Sequence, residues 1–239
     1  MKLDILVFAA HPDDAELACS GTILAHIAQG KKVGIVDLTQ GELGTRGTPE
    51  IRQKEAALSA DILGIHAREN LKLADGFFQN DQAHQLIVAA AIRRFRPDIV
   101  LTNAIGDRHP DHGRASALVS DACFFAGLQK VATFDHDGSP QEPWRPHRVY
   151  HFIQDRYITP DIVVDISPYW ETKVASIMAF KSQFFDPDNK EPKTYISSKN
   201  FIDSIGARAM EMGHYIGVAY GEGFTKERHI GVKSLFDIL

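Results

Sequence analysis

The sequence predicts an α/β fold of three layers, α/β/α, in which a mainly parallel, Rossmann-like sheet is covered by helices on both faces. Two observations point there. Apolar runs of strand length alternate with helically spaced apolar residues from the first residues to about position 126. Glycine and proline stand where the helices should stop, at Gly30, Gly64 and Pro97. The 239 residues suffice for one sizeable core, and 1–239 reads as a single domain without internal repeats or low-complexity tracts.

The first strand covers 3–10 (LDILVFAA). A helix follows at 15–29, with Leu17, Leu24, Ile27 and Ala28 at helical spacing. The second strand is the β-branched run 32–38 (KVGIVDL). Pro49 and Glu50 open a second helix that runs through Glu55, Leu58 and Ile62 to Gly64. A short third strand is expected near Leu71, a third helix at about 82–95, a fourth strand at 98–103 and a fourth helix at 113–126. Right-handed crossovers and the commonest strand order, 3-2-1-4, place strands one and four side by side. The segment 135–147, rich in Pro, Gly and charge, is a surface connection. Strands near 148–153 and 161–166, a helix at 169–183, a long polar loop at 185–200 and a helix at 201–213 follow. A short glycine-rich stretch (Gly217, Gly221, Gly223) ends the pattern.

Composition narrows the function. Hydrophobic residues make up 44% and charged residues 24%, as in a soluble globular protein. The formal net charge of -5 argues against non-specific nucleic-acid or membrane-surface binding, which needs a basic patch. No apolar run approaches the roughly 18 residues that span a bilayer. Asp13 and Asp14 interrupt the apolar opening, so it is not read as a signal peptide. Cys19 and Cys123 lie among apolar residues and read as buried, reduced thiols. Together these features predict a cytoplasmic protein.

Two polar clusters carry chemistry. His11-Pro12-Asp13-Asp14 follows the first strand, where Pro12 favours a turn that aims His11 and Asp14 at one point with Asp13 beside them. His109-Pro110-Asp111-His112 follows the fourth strand. Either alone reads equally well as a solvated loop. Both sit at carboxyl ends of strands predicted to be neighbours, and ligands bind in that crevice of open α/β sheets. A dinucleotide site is disfavoured. The first strand-to-helix turn lacks Gly-x-Gly-x-x-Gly and carries Asp13, Asp14 and Glu16, which repel a pyrophosphate. Asp37, placed where a ribose-binding carboxylate could sit, is read as structural.

At these residues the sequence resembles the LmbE-like (PIG-L) family of zinc-dependent N-acetylglucosaminyl deacetylases. The resemblance spans nearly the whole chain: AHPDD after the opening strand, Gly41-Glu42 after the second, TRGTPEIRQKEA at 45–56, and HPDH at 109–112. Length and the TRG…EIR stretch look most like the bacillithiol-biosynthesis deacetylases, which remove acetate from N-acetylglucosaminyl malate. Relatives act on other amino sugars or chitin fragments. The resemblance implies that His11, Asp14 and His112 hold Zn2+, with Fe2+ able to use the same donors. It implies Asp13 as general base, His109 as transition-state stabiliser or proton donor oriented by Asp111, and Tyr195 as a group polarising the acetyl carbonyl. Arg52 would contact substrate, with Arg46 and Glu42 on the same rim. The expected partner is a small N-acetyl amino sugar, and the family resemblance implies a homo-oligomer.

The parts are consistent with hydrolysis of an unactivated amide. Three protein ligands leave an open metal position, and zinc lowers the pKa of bound water to about 7. Asp13, next to a ligand without being one, suits the base. The departing amine takes a proton from Asp13 or from His109, and the residues leave both arrangements open. A guanidinium clamp from Arg46 or Arg52 on a substrate carboxylate is the functional reading of those residues. Two other classes remain: a non-haem Fe(II) oxygenase, which uses a similar donor set with O2, and a non-catalytic metal- or sugar-binding module.

Overall fold

The computed structural model describes residues 1–237. Its strands are β1 (Ile5–Ala9), β2 (Val33–Thr39), β3 (Ala67–Leu73), β4 (Ile99–Thr102), β5 (Arg148–Phe152), β6 (Ile162–Asp165) and β7 (Gly221–Lys226). Its α-helices are α1 (Asp14–Ala28), α2 (Pro49–Leu63), α3 (Gln82–Phe95), α4 (Pro110–Ala126), α5 (Trp170–Met178) and α6 (Lys199–Tyr215).

Alternation along the first strand explains the layers. Leu6, Phe8 and Ala10 join a core with Val88 and Ile92 of α3 and Leu118 and Val119 of α4. Ile5, Val7 and Ala9 point the other way and join Ala15, Cys19 and Ile23 of α1. Successive side chains of a strand leave opposite faces, so a strand apolar at every position must be covered twice. On the α1 face, α5 packs against α1 and α2, and Ala56, Ile177, Phe180, Phe184 and Ile205 form a further apolar cluster.

The described strands form one sheet in the order β3-β2-β1-β4-β5-β7-β6. The first four reproduce the predicted order, with β1 parallel to both β2 and β4. β7 departs from expectation. The glycine-rich stretch forms an inner strand, antiparallel to β5 on one side and β6 on the other. Gly217 lies in the turn after α6 at φ +75°, whereas Gly221 and Gly223, inside the strand, reflect close packing. A Cβ on Gly221 would lie 2.6 Å from Val163 Cγ1 and 2.9 Å from the Gly213 backbone nitrogen, so only glycine lets α6 approach.

Other boundaries moved for identifiable reasons. α4 starts at Pro110 instead of 113, because proline at the first helical position and a His109 cap extend it. α5 ends at Met178 instead of 183. Beyond it, the Glu55 carboxylate accepts from the Ser182 N–H and hydroxyl at 2.7 Å each, and these tertiary bonds replace a further helical turn. β3 is a full strand, not a short one. Asp37 is structural, as expected, accepting from Arg68 Nε at 2.9 Å and Nη2 at 3.0 Å. Cys19 and Cys123 are buried free thiols. Among the described residues, no helix is long and apolar enough to cross a membrane.

Phe224 of β7 is buried against β5 and β6. Phe224→Ala should lower unfolding stability by about 3–5 kcal/mol, the usual cost of deleting a buried aromatic side chain. Urea denaturation showing a change under about 0.5 kcal/mol would mean that β7 is not an inner strand.

Candidate active site

The turn after β1 is held in an unusual conformation. Asp13 stands at the N-cap of α1 with φ 130° and ψ -22°. Such backbone costs an L-residue about 1–3 kcal/mol and persists only where its surroundings over-determine it. Asp at an N-cap ordinarily accepts from the first turn of its helix, but the Asp13 carboxylate does not. Arg52 Nη2 donates instead to Asp13 Oδ2 at 2.8 Å and to the Pro12 carbonyl. The Leu17 N–H donates to the Asp13 carbonyl at 2.9 Å. Gly41 (φ +66°) makes room, since a Cβ there would collide with the Arg52 guanidinium.

The turn after β4 arrives beside it. His109 caps α4, its Nδ1 accepting from the Asp111 N–H at 3.3 Å, so Asp111 and His112 fall in the first helical turn. His112 Nδ1 donates to Asp107 Oδ2 at 2.6 Å, and its Nε2 faces Asp14 Oδ1 at 3.3 Å. His11 Nε2 donates to Asp75 Oδ1 at 3.0 Å, and its Nδ1 faces Asp14 Oδ2 at 3.4 Å. Asn103 Nδ2 and Gln154 Nε2 donate to the two Asp14 oxygens at 3.1 and 2.5 Å. The outer carboxylates fix both rings from behind and leave one nitrogen of each facing Asp14. Ring nitrogens of His11, His109 and His112 all lie within 4.8 Å of one another. Imidazole and carboxylate donors supported in this way fit a divalent cation such as Zn2+.

Electrostatics separate the adjacent aspartates. Burial, reinforced by Asp14 and Glu16, pushes the Asp13 carboxyl up to about 7 against the pull of Arg52 and His11. Burial also opposes ionisation of Asp14, but His112 and His11 hold its carboxyl well below the usual range. His112 is disfavoured as a cation by burial, yet Asp14 and Asp107 raise it to about 9. Burial and the neighbouring imidazoles lower His109.

A cleft of about 310 Å³ opens on this cluster, lined by His11, Asp13, Asp14, Arg52, His109, His112 and Tyr195 among others. The remaining expected residues lie elsewhere. Asp111 meets the His109 ring through its backbone N–H, at 3.3 Å from Nδ1, and not through its carboxylate. Its carboxylate accepts from Gly76 N–H at 2.8 Å and Arg114 Nη1 at 2.5 Å, and stands 3.4 Å from His11 Nε2, because the first turn of α4 points it inward. Glu42 accepts from the Asp75 N–H at 2.8 Å and does not line the cleft. Arg46 is also outside the lining, buried with its Nε 3.7 Å from Glu191. Tyr195 lines the mouth, but its hydroxyl donates to Asp155 at 3.1 Å and its ring lies 4.3 Å from the Arg108 guanidinium carbon. Sequence reasoning missed Asp75, Asp107, Asn103 and Gln154. Their signal was position, each at or just beyond the carboxyl end of a parallel strand.

Comparison with known proteins gives consistent matches. The PIG-L family model, described as GlcNAc-PI de-N-acetylase, matches residues 6–123. Diacetylchitobiose deacetylase of Thermococcus kodakarensis is 30% identical over 191 residues, covering 75% of this chain and 70% of that protein. 4-Oxalmesaconate hydratase of Pseudomonas putida is 26% identical over 203 residues, covering 74% and 73%. Among solved structures, a conserved protein from Thermus thermophilus superposes with a TM-score of 0.85 at 36% identity, covering 97% and 98% of the two chains.

The metal-free site should be sensitive to pH. The folded-state pKa of His112, about 9, lies above the ordinary 6.5, so its stabilising contribution is complete below pH 6.5 and fades as pH rises through 9. The raised Asp13 carboxyl acts in the same direction, its contribution fading as pH rises through about 7. The melting temperature of metal-free protein should therefore fall between pH 6.5 and 9, and His112→Asn should flatten that slope. Zn2+ should raise the melting temperature more at pH 8 than at pH 6, because metal binding displaces the histidine protons. A wild-type slope identical to that of His112→Asn would refute the assignment.

Proposed function

The chain belongs to the PIG-L family, and on that premise we propose that it is a metal-dependent deacetylase that releases acetate from a small N-acetylglucosaminyl conjugate. The observation that carries this reading is the meeting, in one cleft, of a His11–Asp14–His112 donor set with a second carboxylate, Asp13, that faces Arg52.

His11, Asp14 and His112 would hold a divalent cation, which would supply Lewis acidity to water and to the acyl carbonyl. Asp13 takes a proton from the attacking water, whose oxygen bonds to the acyl carbon. Its elevated pKa suits a base that must later give the proton up. Arg52 holds Asp13 in position through the carboxylate and the Pro12 carbonyl, so its role is to orient the base rather than to clamp substrate. The carbon–nitrogen bond breaks as the amine receives a proton from Asp13 or from His109, which also lines the cleft. Acetate and the free amino sugar leave.

The finer substrate reading is N-acetylglucosaminyl malate, in bacillithiol biosynthesis, with other amino sugars or chitin fragments as alternatives. The cleft's size suits a small conjugate, and its arginines support an anionic aglycone. The cleft is near the lower end of small-molecule sites, about 300–1,000 Å³, and Arg108 and Arg208 line it. A hydratase reading draws on the Pseudomonas putida relative; it requires water addition without acetate release.

An acetate-release assay over N-acetylglucosamine conjugates, with and without a carboxylate, tests the reading; product formation by hydration alone would overturn it. Asp13→Asn should keep its metal and lose about 10²–10⁴-fold in kcat, whereas Asp14→Ala should lose metal. The opposite pattern, with metal content and kcat measured on the same samples, would reverse the two roles. Arg52→Ala should reduce turnover of carboxylate-bearing and neutral substrates equally. A loss confined to the former would restore the clamp.

A further inference from the structure

Behind the cleft lies a buried ion pair for which the reaction has no direct use. Lys173 of α5 and Glu222 of β7 meet at 2.7 Å, with side chains 2% and 4% exposed. Both are bonded into the backbone of α1. Lys173 Nζ donates to the Glu16 carbonyl at 3.0 Å and the Leu17 carbonyl at 2.9 Å. The Glu222 carboxylate accepts from the Gly21 N–H at 3.0 Å and the Thr22 N–H at 2.7 Å. In a regular α-helix the Leu17 carbonyl is the acceptor for the Gly21 N–H. An ion pair from two other elements is thus wedged into the hydrogen bonding of α1 just after its first turn, a place where inserted side chains bend helices.

We propose that the Lys173–Glu222 pair is a positioning element for Asp13 and Asp14, fixing the first turn of α1 so that the strained Asp13 conformation holds. This inference rests on the deacetylase reading for its kinetic test. The path is short. The Leu17 N–H holds the Asp13 carbonyl, and the carbonyl of that same peptide, that of Glu16, is held by Lys173 at 3.0 Å. The peptide that restrains Asp13 is therefore itself anchored to α5 and, through Glu222, to β7. A backbone at φ 130° relaxes unless its neighbours prevent it. Replacing a buried ion pair with apolar residues of similar volume is often neutral or stabilising. Geometry is accordingly the better account of why the pair is there.

The test is the double variant Lys173→Met/Glu222→Leu, with Glu222→Gln as a milder companion and Val88→Ala, buried in α3 on the opposite face, as a destabilised control. The double variant should fold, lose about 10- to 100-fold in kcat at saturating metal with little change in KM, and bind Zn2+ about 10-fold more weakly or worse in competition with a chromogenic chelator. Glu222→Gln, which keeps an acceptor oxygen, should fall between wild type and the double variant in both readouts. Val88→Ala should lower the melting temperature and leave both unchanged. Wild-type kcat and Zn2+ affinity in a folded double variant overturn the proposal. If that variant does not fold, wild-type values for Glu222→Gln do so. Should wild-type protein release no acetate, the deacetylase reading fails and Zn2+ affinity alone decides this inference.

Discussion

Parallel pairing of β1 with β4 is the constraint on which the site depends. Ile5 aligns with Ile99 and Val7 with Leu101, so the two chains leave the sheet at the same end. The Ala10 N–H then donates to Asn103 Oδ1 at 2.8 Å, carrying the alignment past the last paired residues. His11 and His112 follow from opposite sides of that seam. A one-residue slip would turn every side chain of β1 to the other face of the sheet, moving Phe8 out of its core and changing where the first turn emerges. The apolar packing on both faces that sets this register therefore also sets the distance between the two histidines.

Within that frame, opposite environments act on neighbouring carboxylates. Asp14 sits between two imidazoles and receives Asn103 and Gln154, so its charge is stabilised from several sides. Asp13, one residue earlier, has Arg52 as its ion-pair partner and is otherwise desolvated. Environments that drive two titratable groups apart are a recurrent basis for dividing acid, base and ligand roles. The strained Asp13 backbone produces the division, because it turns one carboxylate toward α2 and its successor toward the histidines.

Much of this was legible in the chain. Alternating strand and helix patterns, with glycine and proline stops, predicted the order β3-β2-β1-β4. The two proline-containing clusters marked the turns that line the cleft. Legibility failed where a residue's partner came from a distant segment. Asp111 is adjacent in sequence to His109 and Pro110, yet its carboxylate faces His11 across the seam. Arg52 resembled a surface guanidinium free for substrate, and only folding showed its Nη2 held by Asp13 and Pro12. The stretch with Gly221 and Gly223 showed no strand pattern, because glycine selected by close helix approach looks the same in sequence as glycine selected for a bend.

By itself, then, the sequence determined the α/β layering, the placement of His11, Asp14 and His112 in turns beyond strand ends, and the imidazole and carboxylate chemistry of those side chains. Local periodicity and residue chemistry carry that information directly. Tertiary structure alone decided that Asp75 and Asp107 fix the imidazoles from behind, that Gln154 and Asn103 hold Asp14, and that β7 enters the sheet between β5 and β6. Each of these depends on pairing between segments tens of residues apart. Such pairing is selected by the summed burial and hydrogen bonding of the whole core, and no short window of sequence contains it.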